Sequence, residues 1–169
     1  MTLSIEASYT NKVSMTLTDS RSPLASTYSD SKNLSKAYTY GSGNNQVNNG
    51  VSVTGQMIAG GSTQIDLQAL AKTQFGATTN ISFQKIKHIS VYNQDTTEGS
   101  DLVIAATGIS AWTNLFNGGS GNLMIKPYSS FSYNDPFTGV TVGASQRYLH
   151  LIDQGSGVNY KILVLGIET

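Results

Sequence analysis

The strongest constraint on the fold is an alternation of polar and apolar residues that recurs along most of the chain. It appears in residues 3–9 and again in residues 13–17, with Asn11 between them as an expected turn. Successive side chains of a β-strand point to opposite faces, so a period of two predicts strands with one buried face. The chain is therefore expected to consist largely of β-strands.

More strand-like segments follow, each bounded by Gly, Asn, Asp or Pro. Residues 34–40 are expected to form a strand that ends at the turn 41–45 and to open a hairpin, and residues 51–57 form another strand before Gly60. After Gly76 the predicted strands are 81–83, 86–92, 102–105, 111–116, 123–125, 131–133, 140–142, 148–152 and 160–165. Short strands at even spacing are typical of sandwiches and barrels.

Two segments depart from this pattern. The Ser-rich stretch from Asp19 to Asn33 contains Pro23 and is interpreted as an extended connection. Residues 67–75 have helical spacing, with Asp66 as the expected N-cap and Gly76 as the stop. At most one short helix is predicted.

So many short strands must stack two sheets or close a barrel to bury their apolar faces. The fold class expected is all-β, a two-sheet antiparallel jelly-roll-like sandwich forming a single domain. Residues 1–60 would supply N-terminal strands and an extended loop of that domain, and residues 61–169 its jelly-roll core. No internal repeat of fixed period is present, which argues against propellers and solenoids.

Charge argues against two classes of partner. The 10 Lys and Arg residues balance the 10 Asp and Glu residues, so no net positive field attracts nucleic acid or an anionic membrane. Charged residues make up 12% of the chain, against roughly 25% in average soluble domains. A surface rich in Ser, Thr, Asn, Gln and Gly can be buried against a neighbour without stranding ionised groups. This composition favours a subunit that assembles with other proteins.

The chain contains no cysteine, which excludes disulfides and thiolate chemistry. No signal peptide is expected in residues 1–15, and no apolar run approaches the roughly 20 residues that span a bilayer. We therefore expect synthesis and assembly inside a cell, without a membrane partner.

The sequence contains few side chains suited to acid–base or nucleophilic catalysis. His88 and His150 are the only side chains that ordinarily titrate near neutral pH, and both fall inside predicted strands as sheet-surface or interface residues. Neither a Gly-x-Ser-x-Gly motif nor a phosphate-binding loop occurs. The chain is expected not to be an enzyme and to need no cofactor.

An acidic turn raises the alternative of a metal site. Asp95, Glu98 and Asp101 offer hard oxygen ligands of the kind that calcium prefers. Their spacing is not that of an EF-hand, and a solvated acidic turn explains the same residues. No metal is therefore assigned.

Aromatic residues raise the alternative of glycan binding. Trp112 and Tyr128, with Tyr133 and Phe137 nearby in sequence, offer rings on which sugar faces stack. Packing of Trp112 in the core of a strand with one buried face is the competing interpretation.

From Ile65 onward, short segments of the chain resemble a group of small jelly-roll virion proteins of tailed bacteriophages. The resemblance rests on the order and spacing of Ile65-Asp66-Leu67, Phe75-Gly76-Ala77, Phe83-Gln84-Lys85-Ile86-Lys87, Val91-Tyr92-Asn93, Met124-Ile125-Lys126-Pro127, Asp135-Pro136, Thr138-Gly139-Val140 and residues 159–166. One departure is that Tyr128-Ser129-Ser130 follows Pro127, where such proteins tend to have glycines.

The resemblance implies a capsid decoration or cement subunit located in the virion. Such a subunit would bind the major capsid protein on the outside of the phage head and associate with itself as a homotrimer. Residues 3–17 and 19–33 are expected to contribute to attachment or to trimer contacts. The alternative is a receptor- or glycan-binding module at a tail tip or fibre, which would use Trp112 and Tyr128.

Overall fold

A computed structural model describes residues 7–19, 26–74 and 77–168 of the chain. These residues contain fourteen strands and a single-turn 3-10 helix at Thr113–Phe116, and no α-helix. The strands are β1 (Ala7–Asp19), β2 (Ser26–Tyr40), β3 (Gln46–Val47), β4 (Asn49–Met57), β5 (Ser62–Asp66), β6 (Leu70–Gln74), β7 (Ala77–Ile81), β8 (Phe83–Asn93), β9 (Leu102–Ala105), β10 (Asn122–Ile125), β11 (Ser130–Asn134), β12 (Val140–Thr141), β13 (Tyr148–Asp153) and β14 (Val158–Glu168).

Eight of these strands form two antiparallel sheets with the connectivity of a jelly roll. The first sheet has the order β10-β9-β13-β5, and the second has the order β11-β8-β14-β4, with β12 added beside β8. If the eight strands β4, β5, β8, β9, β10, β11, β13 and β14 are numbered from one to eight along the chain, the second sheet contains the first, eighth, third and sixth in spatial order from β4 to β11. The second, seventh, fourth and fifth lie in the first sheet, which is the jelly-roll arrangement. The predicted all-β, two-sheet fold is confirmed.

The core lies between the two sheets and is built from the inward residues of their central strands. These residues are fully or almost fully buried: Ile89, Val91, Leu102, Ile104, Leu149, Leu151, Ile162 and Val164. Burial of their apolar surface supplies most of the driving force for folding. β14 alternates between buried and exposed residues up to residue 163 and is buried without interruption over residues 164–167, so only its end is covered on both faces.

The helix expected at residues 67–75 is wrong. Asp66 Oδ1 accepts the backbone N–H of Gln68 at 3.0 Å, and the Asp66 carbonyl oxygen accepts that of Ala69 at 3.1 Å, which makes a turn. β6 follows at once and pairs with β7, so that Leu70 and Ile81 are opposite each other and both are buried. Tertiary burial has overridden the helical spacing. Phe75 and Gly76 lie outside the described residues.

The strand expected at residues 111–116 is also wrong over most of its length. Residues 113–116 form the 3-10 helix, and Asn117 ends it in the left-handed conformation at φ 54°. The Asn117 N–H then bonds to the Asn114 carbonyl oxygen at 3.2 Å. Local hydrogen bonds of this kind suit the Asn- and Gly-rich sequence that follows.

The N-terminal region departs furthest from expectation. β1 runs through Asn11 without a turn, and β2 begins at Ser26, so much of the predicted connection 19–33 is strand. The two strands pair antiparallel from Ala7↔Tyr38 to Asp19↔Ser26. We call the β1–β2 hairpin the arm. Residues 20–25 lie outside the described residues.

The arm joins the body through a parallel pairing and not through the hairpin expected after Tyr40. Thr39 and Tyr40 of β2 lie beside Gln46 and Val47 of β3. The connecting loop is tied to the body because the Asn45 N–H donates to the Pro136 carbonyl oxygen at 2.7 Å. Val47 is fully buried, and its burial fixes β3 at this place.

Gly166 provides a test of the packing between β14 and β8. It lies at a register shift between these strands, and a Cβ there would overlap the Lys85 carbonyl oxygen and lie 2.9 Å from Phe83 Cδ1. We expect Gly166→Ala to lower the free energy of unfolding by about 1–3 kcal/mol through overpacking. Gly143→Ala is the matched control, since a Cβ there meets no atom within 4 Å. Equal urea midpoints for the two variants would contradict this account.

Candidate interaction surface

The arm is anchored to the outer face of the second sheet by Tyr38. This residue is 2% exposed and forms a small apolar cluster with Val47 and Leu165. The base of the arm is therefore in buried contact with the body.

Hydrogen bonds add direction to this contact. The Tyr38 hydroxyl donates toward the Lys87 carbonyl oxygen at 3.2 Å and toward Asn134 Oδ1. Burial, together with the negative charge of Asp135, raises the pKa of Tyr38 to about 12. The hydroxyl therefore stays protonated near neutral pH and acts as the donor in this contact.

The charged groups below Tyr38 are satisfied within the chain. Lys87 is buried and its ammonium group donates to the Phe137 carbonyl oxygen. Burial lowers the pKa of Lys87, against the opposing attraction of Asp135. Burial raises the pKa of Asp135, but hydrogen bonds from the Thr138 hydroxyl at 2.8 Å and from backbone N–H groups outweigh it and lower the pKa. These groups brace a loop and offer no free acid or base.

His88 lies in the same region and is 1% exposed. It pairs across the sheet with Asn134 on β11 and with Leu165 on β14, directly beneath the arm anchor. Burial lowers its pKa, so the imidazole is neutral near pH 7. We expected His88 at a sheet surface or interface; it is buried within the chain, where the arm meets the body.

His150 lies in the other sheet, between Ala105 and Gln64. Burial lowers its pKa, and a backbone hydrogen bond at Ile109 opposes the shift. The ring of Tyr148 meets it edge-on, with centroids 6.4 Å apart. The two histidines are therefore on different sheets and do not converge on one site.

The three acidic residues considered for calcium have other partners or face solvent. Asp95 accepts the backbone N–H of Asn159, and Asp101 pairs with the Lys126 ammonium group at 2.6 Å. Glu98 is exposed. In the part of the chain that the structure describes, no group of three or more His, Cys, Asp or Glu side chains is arranged to hold a metal ion.

The two aromatic residues considered for glycan binding lie in different environments. Trp112 is 2% exposed and its indole N–H donates to the Thr141 carbonyl oxygen at 2.8 Å, so no ring face reaches solvent. Tyr128 is 67% exposed and lies between β10 and β11. Phe137 is also exposed but follows the opposite end of β11. These rings do not form one platform.

A shallow cavity of about 210 Å³ opens between β10 and β11, which are edge strands of different sheets. Its lining combines apolar side chains with one lysine and two serines: Leu123, Met124, Ile125, Lys126, Ser129, Ser130 and Phe131. Lys126 is already paired with Asp101, so the cavity lacks a free charged group to orient a substrate.

The edge strand of the second sheet, β4, lacks the residues that usually prevent an edge strand from pairing with another strand. Among the described strands, β4 pairs only with β14, and residues 49–57 contain neither a charged residue nor a proline. Exposed edges are usually protected by such residues. The outer positions of β4 at residues 52, 54 and 56 are exposed Ser, Thr and Gln. The Lys72 ammonium group of β6 donates to Asn49 Oδ1 at the start of β4 at 2.7 Å, and the exposed face of β4 beyond it is polar and uncharged.

At the base of the arm, the alternation of residues predicts the strand through residues 34–40 but none of the contacts that Tyr38 makes. Nothing in the spacing of Tyr38, Lys87 and Asn134 signals that they meet, because the residues are far apart in the chain. No helix among the described residues has the length and apolarity needed to cross a membrane.

The buried histidines predict a loss of stability in mild acid. Their folded-state pKa values are lowered from 6.5, so below that pH the unfolded chain binds more protons and is favoured. The free energy of unfolding should be nearly constant above about pH 7 and fall as pH decreases from about 6.5 toward the lowered values. His88→Gln should remove part of this slope and His150→Gln the remainder, as measured by urea unfolding at several pH values. A slope unchanged in the double variant would contradict the assignment.

Comparison with known proteins gives no family. The chain matches no protein-family model, and searches of curated proteins and of solved structures find no significant similarity to any of them.

Proposed function

We propose that this chain is a structural protein of a bacteriophage virion, a decoration or cement subunit that binds the outside of the head. Its partners would be the major capsid protein and copies of itself. The observation that carries the proposal is the combination of a jelly-roll body with a long two-stranded arm anchored at Tyr38. The resemblance of residues from Ile65 onward to phage virion proteins supports the same class of function.

The arm is the element best suited to attachment. Its strands have 13 and 15 residues, and among the described strands β1 pairs only with β2. An isolated two-stranded ribbon is marginally stable in water. An arm of this length would gain stability from a partner that covers it, which is the contact we propose with the phage head.

The surface of the body supports protein contacts over catalysis. Polar uncharged residues dominate the exposed face of β4, and the chain as a whole has no net charge. Such a surface can be buried without the cost of desolvating ionised groups. In the described residues no acid, base and cleft come together, so we propose that the chain is not an enzyme.

The proposed mechanism is stabilisation by mass action. A subunit that binds only the assembled shell favours the assembled state in proportion to its concentration and affinity. A homotrimer would present three attachment surfaces, and simultaneous binding multiplies weak contacts. Shell subunits joined by such a clamp resist separation by internal pressure.

One observation favours a second location. The exposed ring of Tyr128 is available to a ligand, as a receptor- or glycan-binding module of a tail tip or fibre would require. The burial of Trp112 removes the second ring of that hypothesis. The head is therefore the favoured location.

Labelling of particles tests the proposed location. Antibody against the purified chain should mark the heads of phage particles in immunogold electron microscopy, in a regular array of many copies. Label confined to the tail would support the receptor-binding alternative, and absence of the chain from purified particles would refute both. Tyr128→Ala should leave head labelling unchanged.

Removal of the arm tests the proposed mode of attachment. Among the described residues, every member of the main core lies between Val51 and Val164, so a chain lacking residues 1–33 should fold. We expect it to keep a cooperative thermal transition while its co-sedimentation with heads falls at least tenfold. Full-length Gly143→Ala is the control. Undiminished co-sedimentation of the folded truncated chain would show that the arm is not the attachment element.

A further inference from the structure

His150 lies on the outer face of the first sheet, yet a loop of the body covers it. Its neighbours on β13, Leu149 and Leu151, belong to the core, so the alternation of side chains along the strand places His150 on the opposite face. The residue is nevertheless only 9% exposed. The backbone of Gly108 covers the ring, because a Cβ built on Gly108 would overlap His150 Cε1 and lie 2.6 Å from Nδ1. We call residues 107–110 the cover loop.

The two ring nitrogens of His150 have different surroundings. A backbone hydrogen bond at Ile109 raises the pKa of the ring, as a bond does when the imidazole is the donor. Nε2 is buried and has no hydrogen-bond partner among the described residues. The donor is therefore Nδ1, and the neutral ring carries its proton there. A second proton would have to be added at Nε2, where the structure offers it no acceptor.

The elements packed against His150 supply no opposite charge at its level. Across the sheet the residue faces Gln64 on β5 and Ala105 on β9, and Asn122 on β10 is opposite Ala105. Residues 107–110 contain no acidic, basic or phenolic side chain. A proton added to Nε2 would therefore meet no carboxylate from these described elements.

Three charged or titratable side chains lie one step further along the same face, and they interact with each other. Asp66 on β5 and Tyr148 on β13 are paired in the register. The Asp66 carboxylate accepts a hydrogen bond from the Arg147 guanidinium at 2.5 Å, and that guanidinium lies 4.9 Å from the centre of the Tyr148 ring. The charge of Asp66 is thus compensated by Arg147 and not by His150.

Protonation of His150 therefore requires part of the structure to move. A buried donor that has neither an acceptor nor water destabilises the folded state. The strand cannot give way, because β13 is paired on both sides and Leu149 and Leu151 are buried in the core. The cover loop can move at small cost, since residues 107–109 are exposed and the side chain of Ile109 is 86% exposed.

The backbone of the cover loop also favours opening. Gly108 and Ser110 have φ values of 113° and 54°, in the left-handed region that an L-residue such as serine rarely adopts. The loop is held closed by the Ser110 carbonyl oxygen, which accepts the backbone N–H of Arg147 at 2.9 Å and that of Tyr148 at 3.0 Å. Opening of residues 107–110 therefore breaks few hydrogen bonds and relieves backbone strain.

We propose that His150 and the cover loop form an acid-sensitive latch, in which protonation of Nε2 lifts residues 107–110 off the first sheet and admits water to the ring. Near neutral pH the ring is uncharged, Nδ1 holds the loop at Ile109, and the latch is closed. As the pH falls below about 6.5 the open form gains population, because both ring nitrogens are hydrated only in that form. The first sheet thus presents a different surface in acid. The inference concerns the body alone and does not rest on the proposed function.

Amide hydrogen exchange, followed residue by residue by NMR on the full chain, tests the latch. The Arg147 and Tyr148 amides report on closure, because they donate to the Ser110 carbonyl oxygen. After correction for the intrinsic pH dependence of exchange, their protection should fall roughly tenfold or more between about pH 7.5 and about pH 4.5, while amides of β8 and β14 stay protected. Protection of the two reporter amides that does not change over this range, or that falls only together with the amides of β8 and β14, would overturn the proposal.

Histidine variants identify the titrating group. In His150→Gln the protection of the reporter amides should not vary with pH, whether the loop is mainly closed or mainly open, because glutamine does not titrate. His88→Gln is the matched control, since His88 is also buried but lies in the second sheet, and it should keep the pH dependence of the original chain. The ring signals of His150 should titrate with the same midpoint as the loss of protection. A pH dependence that persists in His150→Gln, or disappears in His88→Gln, would refute the latch.

Gly108→Ala tests the contact between the loop and the ring without a change of charge. The added Cβ would overlap His150 Cε1, so the reporter amides should be roughly tenfold less protected than in the original chain already at about pH 7.5. Gly99→Ala is the matched control, because Gly99 also has a positive φ of 89° and a Cβ there meets no atom within 4 Å. Circular dichroism checks that both variants are folded. Equal protection of the reporter amides in the two folded variants would contradict the closed contact on which the latch depends.

Discussion

The antiparallel pairing of β8 and β14 is the constraint on which the rest of this structure depends. These are the central strands of the second sheet, and each also pairs with an outer strand, β11 or β4. Their inward residues, including Ile89 and Ile162, form one wall of the core. Their outward residues include the paired His88 and Leu165, and Leu165 packs against Tyr38 at the base of the arm. One pair of strands therefore determines both the burial of the core and the position of the arm.

The buried contact of Tyr38 attaches the body to a two-stranded ribbon that would be only marginally stable on its own. A buried tyrosine contributes apolar area and a hydrogen-bond donor together. Its hydroxyl reaches Lys87 and Asn134, which lie on neighbouring strands of the second sheet. The arm is thus held at its base by the body.

The side chains best suited to catalysis or ligand binding make structural contacts within the chain. Trp112 closes the core with its indole N–H satisfied, and the two histidines are separated onto different sheets. Asp101 is engaged by Lys126. These side chains form contacts within the chain, which agrees with the assembly role proposed above.

The sequence by itself determined the fold class, because alternation with a period of two and frequent turn residues permit few alternatives to stacked sheets. It located β9 and the end of β2 well, since each is bounded by Gly, Asn or Asp. The predictions for residues 67–75 and 113–116 are wrong, because short segments can fit both the helical period and the strand period. Tertiary burial of Leu70 favours a strand in the first segment, and local hydrogen bonds favour a 3-10 helix in the second. Tyr38, Lys87 and Asn134 form a site only after folding, because strand register across long separations is not encoded in local spacing.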